Sequence, residues 1–395
     1  MKVTNCRLCD STNLTQWLDL GFHPHSDQFR KDKDTPEMTY PLRVLVCNDC
    51  GLSQLSYIVE KEVMYTQDYL YEASITKTAD KHWGDLADDV IKRTGITKGL
   101  AVDIGGNDGT LSLKFKERGF DVINIDPCKE VTDLSRERGV ETITDFFCER
   151  ALPNLKADII TGTNVFAHVN DLNTFMKDVD TLLGKNGVFV FESPYFGEFF
   201  DQLEYSTIYH QHLSYLSVKP LKKFLAKFNM EIFDIVFSPL HGGAFRCYIS
   251  RIGEREIKPI VDETIKNENW TIDDLNKFAK ETREHGDKLF SIIYDYYRQG
   301  KNICCVSSPA KGMTQLNYIN INRFISFLTE KSKLKQGRFT PGGHLPILGD
   351  EELKNADVAV LLAWNFSDEI ITNNKDWNGI WVIPNKEIEI KDATK

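Results

Sequence analysis

Apolar positions fall into two rhythms along this chain. Trp83, Leu86, Ala87, Val90 and Ile91 recur at the spacing of an amphipathic helix that begins near Lys77 and ends at Thr94-Gly95. Beyond it, short apolar runs alternate with helical stretches. Leu100–Ile104 predicts a strand, Leu111–Arg118 a helix and Val122–Asp126 a second strand, with further strands over Asp158–Gly162 and Gly187–Glu192. Such alternation implies a parallel sheet with helices on both faces. A polar, helix-rich connector at roughly 254–300 leads to a second alternating block. There Asn302–Val306 reads as a buried strand, a helix starts at Met313, and Val358–Trp364 and Gly379–Pro384 supply more strands. The predicted fold class is α/β, with units at 1–75, 76–252 and 253–395.

Composition narrows the choice of partner more than the choice of fold. With 395 residues, 41% hydrophobic and 27% charged, the chain is long enough for two or three globular cores. A net charge of -10 argues against nucleic acid as the main partner, because a phosphate backbone calls for a basic face. Small molecules are the expected ligands. Met1-Lys2-Val3-Thr4-Asn5-Cys6 lacks the apolar run of a signal peptide, and no stretch of about 18 apolar residues offers a membrane span. The expectation is a cytoplasmic monomer with no membrane partner.

The nine cysteines, an odd number, suit metal ligands and core thiols better than disulfides. Cys6-Arg7-Leu8-Cys9 and Cys47-Asn48-Asp49-Cys50 are two C-x2-C knuckles. Two intervening residues let both thiolates of a pair face one tetrahedral centre, so Cys6, Cys9, Cys47 and Cys50 are expected to hold a closed structural zinc. His23 and His25 lie between the knuckles and are competing candidates. A closed site leaves no position for water, so the metal is expected to staple a small domain.

A glycine-rich turn after a strand lets backbone approach a ligand, and an acidic residue ending the next strand can accept ribose hydroxyls. Here the turn is Gly105-Gly106-Asn107-Asp108-Gly109, preceded by Asp103 and followed by Asp126. An aspartate inside the strand disfavours a pyrophosphate and favours a cationic ligand. S-adenosylmethionine fits: Asp103 near the methionine portion, Gly105, Asn107, Asp108 and Gly109 in the turn, and Asp126 on the ribose. Asp145 and Phe146 would bracket the adenine, and Asn164 and His168 would sit over the reactive end. A structural turn in a flavodoxin-like domain and a nicotinamide site are the competing readings.

Between Glu204 and Tyr215 stand three tyrosines and two histidines, including Tyr209, Gln211 and His212, where ligands bind at the carboxyl edge of such a sheet. A near-neutral histidine can take a proton from carbon beside a ketone, and tyrosine hydroxyls can stabilise the enolate oxygen. A packed loop is the alternative. Tyr65, Tyr69 and Tyr71 read either as a lid over substrate or as packing. His241 and Arg246 could place a turn and a cation near substrate, and Lys311, Lys335 and Arg338 could neutralise a diphosphate.

These motifs also recur in a known order. The cysteine knuckles, Asp103-Ile-Gly-Gly-Asn-Asp-Gly-Thr110, Asn164-Val-Phe-Ala-His168, Ile208-Tyr-His-Gln-His212, His241-Gly-Gly-Ala-Phe-Arg246, Ser308-Pro-Ala-Lys-Gly312, Lys335-Gln-Gly-Arg338, Pro341-Gly-Gly-His344 and Leu362-Ala-Trp-Asn365 span nearly the whole chain. Together they resemble the three-domain, zinc-containing sugar C-methyltransferases of nucleotide-linked deoxysugar biosynthesis. The resemblance implies a zinc domain, a central Rossmann-like class I methyltransferase domain and a C-terminal Rossmann-like domain, with a nucleotide sugar held between them. It implies abstraction of the C-3 proton of a 4-keto sugar, with His212 as general base and Tyr209 as an active-site hydroxyl. The family pattern reads Y-H-E-H, whereas this chain has Gln211 at the acidic position. A glutamine can hydrogen-bond but cannot move a proton. Three consequences stay open: Gln211 orients a working base, the enzyme methylates oxygen or nitrogen of a related sugar, or catalysis is impaired. A non-catalytic sugar-nucleotide-binding protein is the reading from outside the enzyme class.

Overall fold

A computed structural model describes residues 1–60, 63–64, 77–239 and 242–393. Three sheets organise them. The first is antiparallel, in the order Leu14–Pro24, Thr39–Cys47, Ser53–Leu55 and Ser214–Tyr215. Its last strand arrives from far along the chain, with Gln54 paired to Ser214 and Ser53 to Tyr215. Two residues are too few to hold a strand by backbone bonds alone. Packing holds it instead, because Leu213 and Tyr215 are buried in one cluster with Trp17, Val44 and Leu55.

The central sheet has seven strands in the order Met230–Ser238, Ala244–Arg251, Leu183–Pro194, Ala157–Thr163, Leu100–Ile104, Asp121–Asp126 and Glu141–Thr144. The five between Leu100 and Pro194 are parallel, as the alternation predicts. Ala244–Arg251 runs antiparallel to both of its neighbours. The link across residues 239–243 is a hairpin length, whereas a parallel crossover needs a dozen residues or more. The predicted first helix is found at Lys77–Thr94, and Gly95 ends it with φ 69. Val261, on helix Pro259–Asn267, is buried in the same core as this sheet.

The third sheet has the order Ile347–Gly349, Phe327–Glu330, Ile303–Val306, Val358–Leu361, Ile380–Ile383 and Glu389–Asp392. All but the last strand are parallel. Strand order reverses at Ile303–Val306 here and at Leu100–Ile104 in the central sheet, which opens a crevice at the carboxyl end of each.

A 27-residue helix, Ile272–Arg298, leads into the third sheet and starts with a reciprocal Thr271–Asp274 capping box. Its Leu275, Phe278 and Ala279 are buried with Trp17 and Leu20 of the first sheet and with Phe199, Tyr205 and Ile208 of the central unit. This core is shared, and the segment that carries Tyr209 and His212 grows out of it. No helix among the described residues is long and apolar enough to cross a membrane.

Candidate active site and metal centre

Each cysteine knuckle is a tight turn closed by its own backbone: Asp10 N–H donates to Cys6 and Gly51 N–H to Cys47. Asp10 and Gly51 take positive φ, 62 and 88, so each turn folds back on its metal side. The four Sγ atoms of Cys6, Cys9, Cys47 and Cys50 lie within 4.8 Å of one another, and Cys6–Cys50 and Cys9–Cys47 are 3.5 Å apart. Sulfurs at zinc bond length around one tetrahedral centre stand about 3.8 Å apart. The cluster fits a four-thiolate zinc site, and none of the nine cysteines is in a disulfide. His23 and His25 are not part of this cluster. His23 instead contacts the Leu20 carbonyl at 2.7 Å.

The knuckle also reaches the central unit. Arg7, between Cys6 and Cys9, donates from Nη2 to the carbonyls of Val169 and Asn170, both at 2.8 Å. Those residues belong to the loop after strand Ala157–Thr163 and line a cavity of about 950 Å³. Asp27 and Ile58 of the N-terminal unit, the glycine turn, the Tyr209–His212 loop, and Lys311 and Lys335 of the C-terminal unit also line it.

At one end of the cavity, Asp103 is buried, and one of its oxygens accepts from the Thr161 hydroxyl at 2.6 Å. The other oxygen, Oδ2, is buried without a partner. Burial pushes this carboxyl up to about 7, with the Asp126 charge adding to the shift. Asp126 accepts from the Asn107 and Cys128 amides at 3.1 and 2.9 Å, and burial raises it to about 6. An orphaned buried carboxylate oxygen calls for a cation or donor, and Asp126 has lone pairs left for hydroxyls, so the pair fits the cationic and ribose parts of S-adenosylmethionine. Gly105 has φ 63, and a Cβ there would lie 2.4 Å from Val165 Cγ2. The turn therefore needs glycine for both conformation and space.

Other predicted cofactor residues serve the turn from behind. Asp108 accepts from the Thr110 hydroxyl at 2.7 Å and pairs with Arg138 at 3.1 Å, and Gly109 caps helix Thr110–Glu117. Phe146 lines the cavity, while Asp145 is exposed and accepts from the Phe146 amide at 2.7 Å. Asn164 lines it with φ 56, and its N–H donates to the Glu192 carbonyl at 2.7 Å.

His168 and His212 face each other with ring centroids 5.0 Å apart. Burial drives His168 down to about 4. His212 Nδ1 lies 2.8 Å from the Thr207 carbonyl, and Nε2 lies 2.7 Å from the Tyr209 hydroxyl. A carbonyl only accepts, so Nδ1 carries the hydrogen and Nε2 of the neutral ring is the basic atom. The loop is braced on both sides: Leu213 N–H donates to Ala167, and Thr314 of helix Ala310–Ile319 donates to the Ile208 carbonyl at 2.9 Å.

The predicted cations divide. Lys311 lines the cavity but is paired with Glu204 at 3.2 Å and bonded to Asn365. Lys335 also lines it, donates to the Ser308 carbonyl at 2.8 Å and stands 4.6 Å from the Phe29 ring centre. Arg338 donates to the Phe29 carbonyl at 3.1 Å, which ties the outer units together. Arg246 is drawn away from the cavity by Glu192 at 2.7 Å and Asp89 at 3.0 Å. Tyr65, Tyr69, Tyr71 and His241 lie outside the described residues. Sequence reasoning missed Asp27, His82 and Glu192. His82 lines the cavity and pairs at 2.8 Å with Glu192. Burial raises Glu192, but the His82 hydrogen bond and Arg246 outweigh it and hold the carboxylate at about 2. Helix Lys77–Thr94 was legible, but nothing in its pattern marked His82.

Comparison with known proteins finds three successive domain models along the chain. A zinc binding domain model matches residues 6–65, a methyltransferase domain model 81–234, and a C-methyltransferase C-terminal domain model 239–385. C-methyltransferase NovU of Streptomyces niveus is 28% identical over 410 aligned positions, covering 99% of this chain and 97% of that protein. An S-adenosylmethionine-dependent methyltransferase structure from Clostridium acetobutylicum covers 46% of this chain and 94% of its own, at 14% identity and a TM-score of 0.37. With the three domain models in tandem and a relative that aligns over nearly its whole length, the chain belongs to the three-domain, zinc-containing C-methyltransferases that use S-adenosylmethionine.

Proposed function

We propose that the enzyme methylates C-3 of a nucleotide-linked 4-keto deoxysugar, working as a cytoplasmic monomer. The observation that carries this reading is the Tyr209–His212 pair. It places a basic Nε2 and a phenolic hydroxyl 2.7 Å apart in the same cavity as the cofactor turn and Lys311 and Lys335. One chain supplies all of these walls. In the proposed reaction, substrate entry puts the C-3 hydrogen where the Tyr209 hydroxyl now meets His212. Nε2 takes that proton, the C–H pair becomes the enolate double bond, and the freed Tyr209 hydroxyl donates to the 4-keto oxygen, where charge collects. Bound S-adenosylmethionine supplies the electrophilic methyl group that this carbon captures. The Thr207 carbonyl holds the Nδ1 hydrogen, so Nε2 is the atom that receives the proton and Nδ1–H stays bonded in the imidazolium that forms. Lys335 and Lys311 receive the diphosphate, Lys311 by exchanging its Glu204 contact.

The test uses S-adenosylmethionine with a labelled methyl group and nucleotide-linked 4-keto sugars in deuterated water, with the product read by NMR. A carbon-bound methyl that His212→Ala reduces by about 100-fold or more is expected. A methyl found on oxygen or nitrogen would overturn the C-3 reading.

A further inference from the structure

Gln211 is the member of the catalytic loop that the reaction above leaves unused. It is 1% exposed and lines the cavity beside Tyr209 and His212. One end of its amide is fixed: Nε2 donates to Asp27 Oδ2 at 2.6 Å. Asp27 lies 184 positions away in the chain, follows the first strand of the N-terminal sheet, and lines the same cavity. An ionised carboxylate only accepts, so the amide cannot turn over without setting oxygen against oxygen. The other end, Oε1, is buried and has no hydrogen-bond partner. Such an acceptor calls for a donor, and because Gln211 lines the cavity, a bound ligand is the group that can bring one.

The kind of donor follows from the charge. The carbonyl oxygen itself is neutral, and the Asp27 charge lies behind it, taken up by the Nε2–H of the same amide, so the oxygen gives a hydroxyl a full hydrogen bond but does little to offset stripping water from an ammonium group. The nearby histidines do not change the balance, because burial lowers both His25 and His210, the latter to about 3.

We infer that Asp27 is a positioning residue that aims the Gln211 carbonyl at a hydroxyl of the substrate. This makes the pair a selector for sugars that carry a hydroxyl at or next to the reacting carbon. The assignment rests on the sugar reading above, and two consequences distinguish them. The holoenzyme is given nucleoside-diphosphate 4-keto sugars bearing a hydroxyl, an amine or only hydrogen at C-2 and at C-3. At one of these positions the hydroxyl sugar should exceed the other two by about 10- to 100-fold in kcat/KM. Asp27→Asn frees the amide to turn, so the preference should shrink to a few-fold while S-adenosylhomocysteine still binds by calorimetry, which reports an intact fold. The exchanged pair Asp27→Asn with Gln211→Glu leaves a carboxylate oxygen facing the substrate, and its preference should move to the amine. Turnover of all the sugars at similar rates, or discrimination that survives Asp27→Asn, would overturn the selector alone. No turnover of any sugar by the native enzyme would overturn both readings.

Discussion

Asp103 sits where ionisation is expensive, and its ordinary value of 3.8 rises to about 7. The sign of the consequence is fixed by which form binds. A protonated Asp103 offers no charge to a cation, so affinity for S-adenosylmethionine should rise as pH climbs through about 7. Calorimetric titration from about pH 5 to about pH 8 reads this directly, and Asp103→Asn should remove the rise near 7 and leave only what Asp126, raised to about 6, contributes. A flat profile in the native protein would remove the argument. Stability runs the other way. The ligand-free folded state holds a proton that the unfolded chain has released, so its stability falls between the unfolded value and about 7. At Gly105 the issue is shape. Gly105→Ala meets Val165 in a left-handed backbone conformation, and S-adenosylhomocysteine binding should weaken by about tenfold or more with little change in circular dichroism.

At the scale of elements, the zinc knuckle does more than close its own turn. Arg7 leaves the knuckle to hold two carbonyls of the loop that follows His168. Charge-assisted bonds of this kind contribute about 1.5–3 kcal/mol. Arg7→Ala should therefore weaken S-adenosylhomocysteine binding by about 10-fold while zinc stays at one equivalent per chain, as elemental analysis would show. Loss of zinc with retained affinity would instead confine Arg7 to the knuckle. The strand Ser214–Tyr215 makes the same kind of link, since it anchors the end of the Tyr209–His212 loop in the N-terminal sheet.

Across the whole molecule, these links join all three units. Trp17, Phe199 and Phe278 come from three parts of the chain, with Phe199–Phe278 ring centroids 5.0 Å apart and Trp17–Phe278 5.6 Å apart. Phe278→Ala should cost about 3–5 kcal/mol, because it opens a cavity in a core that no unit completes alone. Scanning calorimetry should show the native protein melting in a single transition that a zinc chelator moves down as a whole. Two separate melts would show that the units fold independently.

Much of this was settled by neighbours in sequence. The knuckles were legible because two residues between cysteines set the reach of both thiolates, and the cofactor turn because strand, glycines and the next strand's aspartate are consecutive. Strands Leu100–Ile104 and Ile303–Val306 declared themselves through short apolar runs. Ser214–Tyr215 did not, because its partner strand lies in another unit. Long-range contacts alone decided how charges were spent. Arg246 reads as a free cation until Glu192 and Asp89 are brought to it, and Lys311 until Glu204 is. Gln211 reads as a lost acid until the fold places Asp27 against its amide. Sequence spacing determined the four-cysteine cluster and the glycine turn because their geometry is local. The tertiary structure decided which polar groups line the cavity with valence to spare, because a side chain's partner is chosen across the whole chain.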